Sequence, residues 1–208
     1  MRSSLRFIGL ITIVAASVSC GDVVRTGRSP VYLVIESLQA AQGNHPATLG
    51  NPLISDVITN VTNPLPCSPA TPCPTVFNDV GSAVLRLALK DIGSPTTPAV
   101  PSSNNDVTIT RIHINYRRAD GRKTEGVDVP YAWDTAVTFT VPATGTSTVA
   151  FQIVRHTAKE ESPLIQLITS AVVIDTITDV TFYGRDQVGN EVSVTGSIQI
   201  SFANFGDT

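Results

Sequence analysis

VTFYGRDQVGNEVSVTGSIQISF, residues 180–202, decides the fold. Val180, Phe182 and Gly184 fall on one side of an extended chain. After Asp186-Gln-Val-Gly-Asn190, the residues Val192, Val194, Ile198, Ile200 and Phe202 fall on one side, and Ser193, Thr195, Ser197, Gln199 and Ser201 on the other. Period-two alternation over this length is the signature of a strand with one face on a core and one in water. The five residues between the two runs, with a Gly near their end, suit a hairpin connection. Composition carries the same reading outward: Thr and Val number 25 each and Ile 17 among 208 residues, and β-branched side chains pack well on a pleated surface. Only 15% of residues are charged, against 42% hydrophobic, which excludes a wholly disordered chain.

Further strands are predicted at 31–38 (Val31, Leu33 and Ile35 on one face), with a helix as the alternative because good helix formers follow Glu36. Leu85, Leu87 and Leu89 share a face opposite Arg86 and Lys90. Val107–Tyr116 is the next strand, followed by Val137-Phe139-Val141 and Val149-Phe151-Ile153. Residues 92–106, rich in Pro and Ser, read as surface loop. Short strands separated by turn-rich loops point to an all-β antiparallel sandwich without crossover helices.

The hairpin resembles that of bacterial immunoglobulin-like and fibronectin-type-III-like extracellular domains, whose last two strands flank an Asp-x-x-Gly-Asn turn; here it is Asp186-Gln-Val-Gly189-Asn190. The resemblance implies an immunoglobulin-like β-sandwich and says nothing about function, because such sandwiches host many roles. The chain is longer than the roughly 100 residues of such a domain. The excess is assigned to long loop insertions at 39–75 and 92–106 within a single domain spanning 31–208.

At the other end of the chain, Arg2 and Arg6 precede the uncharged run 7–19, FIGLITIVAASVS. Thirteen residues fall short of the roughly 20 needed to cross a bilayer, so residues 1–19 read as a signal peptide. The run ends in Val18-Ser19-Cys20 and here resembles the lipobox of bacterial lipoproteins, although Ser17 stands where that family usually has Leu. The resemblance implies lipidation of Cys20; cleavage by the ordinary secretory peptidase near Ser19 is the alternative. Residues 20–30 then form a lipidated tether. Gly21 rather than Asp after Cys20 favours the outer membrane in an organism with two membranes.

Cys67 and Cys73 lie in the stiff stretch PCSPATPCP, residues 66–74, where an exported chain can close a disulfide. Two thiolates with no third ligand nearby are the weaker reading, a metal site. Removing residues 1–19 leaves twelve Lys and Arg against seventeen Asp and Glu. A chain of that balance lacks a phosphate footprint, so no nucleic-acid partner is expected. Membrane attachment is assigned to the lipid.

No catalytic or cofactor motif emerges. There is no nucleophile elbow, zinc-protease helix or phosphate loop. His45, His113 and His156 lie far apart. Glu160-Glu161 reads as part of a solvated loop, Thr157 to Pro163. The Asp186–Asn190 turn has too few oxygens for calcium and reads as hydrogen-bonded turn chemistry. Trp133 is assigned to the core or its edge. One surface stands out. With Ile112, Ile114 and Tyr116 inward, Arg111, His113, Asn115 and Arg117 form a polar stripe, and Arg118, Arg122 and Lys123 follow. The stripe is a candidate binding site for an anionic glycan or an envelope protein, or else a water-facing strand paired with acids on its neighbours. The expected function is a non-catalytic, lipid-anchored envelope module. The alternative is an envelope hydrolase with a site built from the loops around 39–75 and 92–106.

Overall fold

The computed structural model describes residues 27–206. The expected signal peptide, Cys20 and most of the tether therefore lie outside the described residues. Twelve strands run through the described chain: β1 (Val31–Ala41), β2 (Leu53–Asp56), β3 (Thr59–Val61), β4 (Cys73–Thr75), β5 (Asp79–Leu89), β6 (Gly93–Ser94), β7 (Thr97–Pro98), β8 (Val107–Arg118), β9 (Trp133–Val141), β10 (Thr146–Val154), β11 (Ile174–Asp186) and β12 (Glu191–Ala203). One sheet has the order β1-β5-β10, the other β2-β12-β11-β8-β9. All pairs in these sheets are antiparallel except β2 on β12. The chain visits the first sheet with β1 and β5, the second with β8 and β9, returns with β10 and closes with β11 and β12. This is the immunoglobulin-like sandwich, with β2 adding a short parallel edge.

The alternation read from the sequence sets the faces. Val180, Phe182, Ile198, Ile200 and Phe202 are buried, as are Ile112, Ile114 and Tyr116 from β8. Leu33, Leu85, Leu87, Phe151 and Ile153 meet them from the other sheet. Phe151 packs edge-on against Phe182 with centroids 5.7 Å apart. The Tyr116 hydroxyl crosses the sandwich and donates to the Ile153 carbonyl at 2.6 Å. Burial holds that phenol well above its ordinary range. Trp133 is half-buried and packs on the core, as assigned.

Two expectations need correction, and one strand extends further than expected. The 31–38 segment is a strand, longer than expected, since β1 runs on to Ala41. The 39–75 region is not simply loop: it holds β2, β3 and β4, with the Cys67–Cys73 disulfide beside the β3–β4 pair. Thr157 to Pro163 is not a solvated loop throughout. A single helical turn, α1 (His156–Lys159), buries Ala158 and Lys159, while Glu160 and Glu161 are exposed. Residues 27–30 of the expected tether also lie against the domain: Ser29 is buried, and Lys90 Nζ donates to the Gly27 carbonyl at 2.9 Å.

Candidate functional site

The polar stripe lies on the outer face of the five-stranded sheet, where the alternation of β8 placed it. Its charges meet acids on both neighbouring strands. Arg111 lies 2.9 Å and His113 Nδ1 3.2 Å from Asp134 Oδ1 on β9, and Arg117 Nε lies 3.2 Å from Asp179 on β11. Asn115 between them is exposed. These are half-exposed pairs, each worth about 0–1 kcal/mol, so an incoming ligand can exchange partners with them at little cost.

At the upper end of the stripe the surface becomes concave. A β-bulge interrupts the β8–β11 ladder between Tyr183 and Gly184, and Thr110 is left outside the pairing. Gly184 is required there: a Cβ would come within 2.6 Å of the Thr108 carbonyl oxygen and 2.8 Å of Ile109 Cδ1. An open depression beside the bulge, about 460 Å³, is lined by Thr110, Arg111, Tyr183, Arg185, Glu191 and Ser193 among others. Arg111 stacks on the Tyr183 ring at 3.9 Å, and Arg185 Nη2 sits 3.0 Å from Glu191 Oε1. A second depression, about 220 Å³, shares Glu191, Val192 and Ser193 as a wall and continues to Tyr32, Lys90 and Gly27. Lys90 Nζ lies 5.0 Å over the Tyr32 ring and has no carboxylate partner among the described residues.

The Asp186–Asn190 turn below this region is held internally. Asp186 Oδ1 accepts from the Val188 and Asn190 amides at 3.0 and 2.8 Å, and Oδ2 from Asn190 Nδ2 at 2.9 Å. Burial works against its ionisation, but hydrogen bonds from Asn190, Ser29 and Val188 outweigh it and hold the carboxyl below its usual range. The carboxylate is thus spent on the turn.

A second cluster lies at the opposite end of the sandwich and escaped the sequence reading. Lys159 Nζ sits 2.9 Å from Asp79 Oδ1 and donates to the Asp56 carbonyl at 2.8 Å, with both side chains 1% exposed. Ser55 Oγ and the Gly43 amide complete the shell of Asp79. Desolvation dominates and pushes the Asp79 carboxyl above its usual range, against the pull of Lys159. Every polar atom here has a partner, so the pair reads as a staple joining β2, β5 and α1. Nothing in the local sequence marks Lys159; only the buried Ala158, Leu164 and Leu167 around it hint that the segment packs inward.

The two loop regions assigned to the alternative enzyme site do not meet. β5 starts at the end that receives residues 42–78 and finishes at the end that sends out 90–106. Eleven residues of strand, about 35 Å, separate them. His113 lies on the outer face of β8, away from the other two; His156 bonds Asn78 at the end of the sandwich where β5 begins, the end that also holds His45 in the loop 43–45. Among the described residues no group of three His, Cys, Asp or Glu could hold a metal ion. The sequence missed Tyr183, Arg185, Glu191, Tyr32 and Lys90 as one surface. The outward parity of Tyr183 and Arg185 was readable, but their neighbours come from cross-strand register. No protein-family model and no curated protein matches the chain.

Proposed function

We propose that this protein is a non-catalytic binding module of the cell envelope, anchored by a lipid on Cys20, whose binding surface is the outer face of the five-stranded sheet around Tyr183. The export-type N-terminus and its terminal cysteine support the anchor. The observation that carries the binding role is the concave region where Arg111 stacks on Tyr183 and Arg185 meets Glu191. That outward face mixes an aromatic ring, guanidinium groups, a carboxylate and hydroxyls beside a bulge in the β8–β11 ladder. The stripe of Arg111, His113, Asn115 and Arg117 forms its approach. With an outer membrane present, Gly21 supports that location.

The test separates anchor from binding. Cys20→Ala protein should come off the membrane fraction in a high-salt wash that leaves the wild type bound, and should co-sediment with isolated envelope again at low salt. Adding Tyr183→Ala or Arg185→Ala should abolish that co-sedimentation without lowering thermal stability. Undiminished co-sedimentation of both variants would remove this surface from the account.

A further inference from the structure

We infer that Lys159 and Asp79 are the two ends of an intramolecular amide: the lysine amine condenses with the aspartate carboxyl and ties the start of β5 to α1. The pair lies at the other end of the sandwich from the surface around Tyr183 and shares no residue with it.

The reactants are held in contact and out of water. Lys159 Nζ lies 2.9 Å from Asp79 Oδ1, and both side chains are 1% exposed. Three further groups fix them. Nζ donates to the Asp56 carbonyl at 2.8 Å, the Gly43 amide donates to Oδ1 at 3.1 Å, and Ser55 Oγ sits 2.5 Å from Oδ2. Two reacting groups held this way exchange a bimolecular step for a unimolecular one. A charged pair in such a place carries a desolvation cost that its mutual attraction barely offsets. Burial pushes the Asp79 carboxyl above its usual range. A proton passed from the ammonium to that carboxyl leaves a neutral amine against a neutral acid, the reactive form of the pair.

Each neighbour has a place in the reaction. The Nζ lone pair attacks Cγ, and the displaced electrons collect on Oδ1, where the Gly43 amide stabilises the negative charge. One Nζ proton passes to Oδ2, with the Ser55 hydroxyl, which both donates and accepts, as the relay. The Cγ–Oδ2 bond breaks, and Oδ2 leaves as water with that proton and the proton of the acid. The bond formed is Nζ–Cγ, and nothing is oxidised or reduced. The product inherits the contacts of the reactants. Its oxygen keeps the Gly43 amide, its N–H keeps the Asp56 carbonyl, and two buried charges give way to a neutral group whose polar atoms are paired.

The link joins residues 80 positions apart. Asp79 is the partner of Val154 in the β5–β10 ladder, and Lys159 follows β10, so the amide locks the end of that sheet. A cross-link closing so long a loop restricts the unfolded chain more than the short Cys67–Cys73 loop does, and reducing agents leave it intact.

The test is a tryptic digest of the reduced, denatured full-length protein purified from cells, read by mass. Cleavage at Arg28, Arg86, Arg155 and Arg185 should release residues 29–86 joined to 156–185, at their summed mass less one water, because an acylated Lys159 is no longer cut. Lys159→Arg keeps the charge and should give 29–86 unjoined, with a melting temperature below that of the wild type. Ser55→Ala keeps both reactants and should show joined and unjoined 29–86 together. Unjoined 29–86 and free 156–159 as the sole products from folded wild-type protein would overturn the inference, as would a joined fragment in Lys159→Arg.

Discussion

Ile200→Ala and Gln199→Ala, adjacent substitutions in β12, should differ severalfold in cost. Ile200 is 0% exposed and sits between Thr176 on β11 and Leu53 on β2, near the middle of the sheet's covered edge. The change removes three carbons, each worth about 0.8 kcal/mol in transfer alone, or about 2.4 kcal/mol. The cavity left between two paired strands adds to that, giving about 3–4 kcal/mol. Gln199 is exposed opposite Ile177 and should cost no more than about 0.5 kcal/mol. Urea unfolding followed by circular dichroism measures both, with an unchanged slope confirming that the unfolded state is not altered. A reversed ranking would mean the strand is slipped by one residue, which exchanges its faces. Small, equal effects would mean the final strand is not part of the core, and the sandwich described above would have to be rebuilt without it.

Other consequences follow from the same contacts. Lys159→Ala leaves the Asp79 carboxylate buried without its cation and should cost about 3–5 kcal/mol in urea unfolding, whereas Lys159→Met with Asp79→Leu should recover part of the loss. Asp186 ionises more readily in the folded chain than in the unfolded one, so its contribution is complete above the ordinary carboxylate range and is lost as the pH falls through its lowered folded value. The stability gap between the wild type and Asp186→Asn, measured by thermal melts, should therefore shrink on acidification; a gap that widens contradicts the hydrogen-bond account of the turn. Thiol labelling without reductant should capture neither Cys67 nor Cys73, and replacing both by Ser should cost no more than about 2 kcal/mol, because the bridge closes a short loop outside the main sheets.

The fold was legible where local pattern decides it. β11 buries one face for its whole length, and β5 and β12 for most of theirs, so period-two alternation carried their faces and the hairpin between the last two. β2 was not legible as a strand: four residues hold their place because β12 offers them a partner, and that partner lies more than a hundred positions away. Half of the candidate site followed the same divide. The outward direction of Arg111, His113, Asn115 and Arg117 is parity along one strand. Their pairing with Asp134 and Asp179, and the meeting of Tyr183 with Arg111, depend on register across strands and on a bulge, which no local signal encodes. Lys159 was misread for a related reason. A lysine followed by two glutamates looks solvated until the fold supplies a buried carboxylate from β5.

The account stands most directly on what is attached to residue 20. Intact-mass measurement of the mature protein recovered from the membrane fraction reads this in one experiment. The predicted result is a chain that begins at Cys20 and is heavier than its sequence by a diacylglycerol and, where the N-terminus is acylated, one further acyl chain. A mature protein of unmodified mass that begins at Gly21 or beyond would contradict the anchor, and with it the placement of the Tyr183 surface beside a membrane.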